Sequence, residues 1–173
     1  MGKFVTVKSD FSQVKDLFEK IGAGKESLAR RMGAAGGEEF RDEAQARVSV
    51  SMSGSSYPET GRGSPAAGTL RNAIYLAYDK RNSNESVHVY SISWNSKKAW
   101  WGKLVEFGYY QRYEVHKNNN GKYYTEKTQK LPTPKWIPGD PFLYPAYANK
   151  RQAVAKIMIE TGRVEFDKIV SGQ

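Results

Sequence analysis

Ala73-Ile74-Tyr75-Leu76-Ala77-Tyr78 and, past a polar turn over residues 80 to 85, Val87-His88-Val89-Tyr90-Ser91-Ile92-Ser93-Trp94 decide the fold of this chain. In the first run Ile74, Leu76 and Tyr78 alternate with their neighbours. In the second, His88, Tyr90, Ile92 and Trp94 face away from Val87, Val89, Ser91 and Ser93. A period of two is the signature of strands with one apolar face, and the short polar link makes them an antiparallel hairpin. A two-stranded sheet is not stable alone and needs helices over its apolar face. The expected fold class is therefore α+β: a small antiparallel sheet packed by N-terminal and C-terminal helices.

The flanking segments supply that cover. Ser9 or Asp10 can cap a helix with the face Phe11, Val14, Leu17, Phe18 and Ile21, which Gly22 and Gly24 are expected to end. A second helical pattern groups Leu28, Met32 and Ala35, then Phe40, Ala44 and Val48. The Gly36-Gly37 pair should kink it, or let another part of the chain approach closely. Residues 49 to 68, rich in Ser, Gly and Pro, form no regular element and read as a flexible loop.

Downstream of the sheet, residues 99 to 107 read as a short helix with Trp100, Leu104 and Phe107 on one stripe, Trp101 and Val105 beside it, and Gly108 ending it. Residues 109 to 117 and 122 to 128 flank Asn118-Asn119-Asn120-Gly121, a strong hairpin signal. A two-residue Asn120-Gly121 turn would set Glu114 opposite Lys127. The faces are too polar for a core, so this hairpin should project into solvent. Pro132, Pro134, Pro138 and Pro141 make a stiff strut, and Val154, Ile157, Met158 and Thr161 mark a helix that Gly162 should interrupt. All of this fits one domain over residues 1 to 173, with the hairpin and strut of 109 to 139 as an inserted projection.

The composition excludes several classes of function. There is no cysteine, hence no disulfide framework and no thiol nucleophile. No segment is apolar enough over a sufficient length to span a membrane. Lys and Arg number 27 against 18 Asp and Glu, a net charge of +9 that suits a polyanion or an acidic protein surface. Gly22-Ala23-Gly24-Lys25-Glu26-Ser27 is no phosphate loop: Glu19 stands where an earlier glycine is needed, and Glu26 where a hydroxyl would meet magnesium. The acidic cluster Glu38, Glu39, Asp42 and Glu43 reads as a solvated helix face. His88 and His116 lie in no ligand spacing, and no nucleophile elbow exists. No catalytic residue, metal or cofactor is expected. Between residues 109 and 130, basic and aromatic residues interleave, as they do at both protein interfaces and nucleic-acid surfaces; the mixed charge favours protein contact.

Three phrases carry a resemblance: Gly68-Thr69-Leu70-Arg71-Asn72-Ala73-Ile74, Val105-Glu106-Phe107-Gly108, and Pro141-Phe142-Leu143-Tyr144-Pro145-Ala146-Tyr147. With N-terminal helices before them and a C-terminal helix after, their order resembles the head-tail joining, or tail-completion, family of long-tailed bacteriophages. The resemblance implies a non-enzymatic virion protein of the phage neck, formed in the host cytoplasm. It implies a homo-oligomeric ring contacting connector or head-completion proteins and tail-terminator or tail-tube proteins, with DNA passing non-specifically through the lumen and no membrane. Carried onto this chain, Leu70, Ile74, Trp101, Val105, Phe107, Pro141, Phe142 and Pro145 are the motif and core positions. Glu106, Gly108, Arg112, Tyr113, Tyr123 and Tyr124 are the candidate interface. Glu106, just before Gly108, could accept backbone amides of that turn or pair with a neighbouring subunit's Arg. Arg112, Lys117, Lys122, Lys127 and Lys130 are the candidate DNA-facing cations. The alternative reading is a monomeric basic nucleic-acid-binding protein.

Overall fold

Ile74–Tyr78 (β1) and Tyr90–Trp94 (β2) pair antiparallel, with Ile74 opposite Trp94, Leu76 opposite Ile92 and Tyr78 opposite Tyr90. The computed structural model describes residues 12–48, 66, 68–84, 86–119 and 123–171. Around the sheet stand α1 (Ser12–Arg47), α2 (Thr69–Ala73), α3 (Gly102–Phe107) and α4 (Leu143–Ser171); β3 (Tyr109–Lys117) and β4 (Tyr123–Ile137) form a second antiparallel pair. The fold is thus α+β, with two small sheets and the N- and C-terminal helices packed together. The cap expected at Ser9 or Asp10, residues 49 to 65 of the expected loop, and the Asn120-Gly121 turn lie outside the described residues.

The helices run on where the sequence predicts breaks. α1 is one helix of 36 residues, passing through Gly22, Gly24, Gly36 and Gly37. α4 continues through Gly162 to Ser171. Each interior glycine costs about 1 kcal/mol relative to alanine, and tertiary contact offsets that cost at all but Gly22, which faces open space. A Cβ on Gly33 would meet the Tyr90 ring at 2.7 Å, one on Gly37 Leu76 Cδ1 at 2.6 Å, and one on Gly36 Met158 Cγ at 2.9 Å. Missing side chains make room for the sheet and for α4. The expected kink is therefore a place of close approach.

α1 and α4 pack antiparallel. Phe40 lies 5.6 Å from Tyr147 near one end, and Gly24 faces Ile169 near the other. Lys150 Nζ donates to Glu39 Oε1 at 2.7 Å, and Arg31 pairs with Glu165 at 2.8 Å. At the foot of this pair sits the core: Ala44, Val48, Leu70, Ala73, Ile74, Ala99, Trp101, Val105, Phe142 and Ala146. Phe142 is 1% exposed and meets Trp94 edge to face, with centroids 5.9 Å apart.

α3 begins after Trp101 and ends at Gly108, close to its expected limits, but its buried face differs. Trp101, Val105 and Glu106 are inside, whereas Trp100 is exposed and Phe107 is 69% exposed. Phe107 is therefore not a core residue. The Trp94 ring packs so closely on Gly102 that a Cβ there would collide with it. That contact turns the 101, 102, 105 side inward.

Candidate functional site

Glu106 joins the two phrases that the sequence keeps apart. It is 7% exposed, and its Oε2 accepts the backbone N–H groups of Phe142 at 2.7 Å and Leu143 at 3.0 Å. Its Oε1 accepts that of Tyr144 at 3.4 Å. A helix start leaves four amides without intrahelical partners and carries partial positive charge. Three of these amides in α4 are taken by one carboxylate. The next residue, Pro145, has no amide to satisfy. Glu106 is thus a capping acid supplied by another helix, 36 residues from Phe142 in the chain. Its carboxylate is engaged within the domain.

Beside the cap the backbone crosses itself. Gly108 has φ 74° and ψ −179°, a conformation essentially reserved for glycine. A Cβ there would meet Ile137 O at 2.6 Å, and one on Gly139 would meet Gly108 N at 2.6 Å and Val105 O at 2.7 Å. Asp140 N donates to Val105 O at 2.7 Å. The end of α3, the two roots of the hairpin and the start of α4 therefore form one tight joint. Of the motif positions, Leu70, Ile74, Trp101, Val105 and Phe142 are buried, Pro145 is half-buried, and Pro141 is exposed.

The hairpin projecting from this joint departs from expectation in two ways. The expected strut is largely strand, since β4 runs through Pro132 and Pro134 to Ile137. Proline cannot donate to a ladder, and the register slips where these prolines lie: Gln111 faces Lys135, but Tyr113 faces Lys130. A second slip brings Glu114 opposite Glu126, not Lys127. His116 lies between the like-charged pair, its Nε2 3.4 Å from Glu114 Oε2 and 3.6 Å from Glu126 Oε2 without a hydrogen bond to either. Directly paired residues share a face, so Glu114, Glu126, His116 and Tyr124 occupy one side of the outer hairpin.

Arg112, Lys117, Lys127 and Lys130 are exposed along the hairpin, while Lys122 lies outside the described residues. Tyr113 is half-buried and Tyr124 exposed. The Tyr123 backbone pairs with Lys117, and its side chain lies outside the described set. Glu106 and Gly108 belong to the joint, not to the hairpin surface.

The other sequence candidates are occupied internally. Glu39 and Glu43 are not merely a solvated face: they hold Lys150, and Glu43 also holds Arg47. The hydrogen bond to Glu39 keeps the Lys150 ammonium above the ordinary lysine range. His88 Nδ1 lies 3.2 Å from Tyr78 Oη. Among the described residues no group of three or more His, Asp or Glu is placed to hold a metal ion. A shallow depression lined by Glu26, Arg30, Arg31 and Tyr90 lies along α1, away from the joint. No described helix is long and apolar enough to cross a membrane.

Sequence reasoning missed one surface. Tyr110 and Trp136 stand opposite each other at the foot of the hairpin, with centroids 4.9 Å apart, and Tyr144 is 72% exposed at the start of α4. Tyr144 is hidden in the phrase read as core, but the 3.6-residue period from buried Phe142 and Ala146 would have pointed it outward.

No protein-family model, curated protein or solved structure matches this chain.

Proposed function

We propose that this chain is a structural protein of a phage neck, multimerising into a ring that joins or completes the tail at the head-tail interface around the DNA channel. One observation above the others supports this reading. Val105-Glu106-Phe107-Gly108 and Pro141-Phe142, the phrases that carry the family resemblance, are bound to each other through the Glu106 cap. They act as a rigid joint from which a long, polar, cation-bearing hairpin is held away from the core. A fixed arm on a small domain suits an adaptor, which works by presenting surfaces. Under this reading the protein catalyses no reaction. The hairpin cations beyond Arg112 face either neighbouring subunits or the DNA in the lumen, and the +9 net charge is compatible with both.

Electron microscopy of a lysate from a phage lacking the protein tests the proposal. DNA-filled heads and complete tails should accumulate unjoined. Normal joined virions would refute the role, and empty heads with intact tails would move it to packaging.

A further inference from the structure

Four large aromatic side chains stand in solvent around the joint, each on a backbone position that the joint fixes. Phe107 ends α3 and is 69% exposed. Tyr110 (62%) and Trp136 (48%) pack against each other, tilted, at the root of the hairpin, and Tyr144 (72%) lies in the first turn of α4. Trp136 is held in place because its Cζ2 covers Gly108, 2.8 Å from where a Cβ would stand. Tyr144 is placed because Glu106 holds its amide. Exposed aromatics on rigid backbone lose little conformational freedom on binding and are characteristic interface anchors.

Cations adjoin these rings on each element. Lys103 lies one helical turn before Phe107, Arg112 two residues beyond Tyr110 along β3, and Arg151 two turns beyond Tyr144 on the same face of α4. All three are exposed and have no carboxylate partner among the described residues. Asp140 is the exposed acid beside the joint.

We propose that this aromatic surface, with Lys103, Arg112 and Arg151 at its edge, docks an acidic surface of a different protein. The proposal names the kind of partner for the adaptor and rests on the structural reading above. A second copy is a poor occupant because many of this chain's own acids are committed. Glu26 pairs with Arg30, Glu39 with Lys150, Glu43 with Arg47, and Glu165 with Arg31 and Lys168. Nucleic acid is also a poor occupant. The three cations sit on separate elements and form no row to follow a phosphate backbone, and the hairpin face beyond carries Glu114 and Glu126.

The test uses the purified full chain and two labelled probes: a random copolymer of glutamate and tyrosine, and an oligothymidylate. Fluorescence anisotropy reads binding, and sedimentation reads self-association. Two double variants are compared with the parent: Phe107→Ser with Tyr144→Ser, which removes the two most exposed rings, and Lys103→Glu with Arg151→Glu, which keeps every ring. Both sites are exposed, and matching thermal melts verify the fold. The expected result is that the acidic copolymer binds the parent and binds each variant at least about tenfold more weakly, with self-association unchanged. Failure of the parent to bind the copolymer overturns the proposal. So does tighter binding of the oligothymidylate that both variants lose, or a loss of self-association in the variants. A phage that joins normally without the protein refutes the neck role, whereas these binding results judge the docking surface itself.

Discussion

The joint and the outer hairpin use charge in opposite ways. At the joint, one buried carboxylate faces three amides and the positive end of a helix, so each of these amides has a defined counterpart. In the outer hairpin, two half-buried glutamates face each other across the strands with a histidine between them, and the ladder slips twice within a few residues. The joint gains fold stability from burial and from a charge that cannot be moved. The hairpin buries little, so its surface is open to contacts outside the domain.

The largest expected effect lies at the joint. Phe142→Ala removes a fully buried ring and should destabilise the domain by about 3 to 5 kcal/mol. A near-parental denaturant midpoint would mean that the joint is not the core of the fold. Glu106→Ala should follow, with a loss on the order of 3 kcal/mol, because it leaves buried amides unsatisfied. Glu106→Gln keeps one acceptor oxygen, for Phe142 and Leu143, and loses the charge and the longer acceptor contact to Tyr144, so its loss should be smaller, about 1 kcal/mol. If Glu106→Ala melts like the parent the capping account fails, and if Glu106→Gln does, the carboxylate's charge contributes nothing.

These effects separate what was legible in the sequence from what was not. The hairpin of β1 and β2 was legible because a half-buried strand enforces alternation, and Ile74, Leu76, Ile92 and Trp94 obey it. α3 was legible as a helix but not in its orientation. In so short a helix, both the Trp100, Leu104, Phe107 stripe and the Trp101, Val105 side meet helical spacing. The choice was made by the Trp94 ring packing on Gly102, a contact from another element. The glycines of α1 and α4 misled for a similar reason, since intrinsic propensity favours a break and packing against Tyr90, Leu76, Met158 and Met32 prevails. Asn120-Gly121 signalled the hairpin correctly, but the outer register differs by one residue from the two-residue turn. Glu106 was legible as a residue able to accept amides. Which amides it takes is set by a crossing at Gly108 and Gly139 that no local pattern records.

A smaller effect should appear along the helix pair that supports the joint. Glu165 is held below the ordinary glutamate range, first by the Lys168 hydrogen bond and further by Arg31. A carboxyl with a depressed folded-state pKa adds stability above its unfolded value and loses it as pH falls through the folded one. The melting difference between the parent and Glu165→Gln should therefore be present at neutral pH and fade as pH drops below about 4.3. A difference that is constant down to strong acid would exclude this ion pair as its source.

The smallest stability effect, close to zero, is expected for the hairpin, and it tests the contrast most directly. The measurement is a calorimetric melt of the chain with residues 114 to 126 replaced by a two-residue Asn-Gly turn. The account predicts a single cooperative transition within a few degrees of the parent, because the removed segment contributes little to the core while the Glu106 cap and the Gly108 crossing are intact. Loss of the cooperative transition would contradict it, showing that the hairpin is part of what holds the fold together.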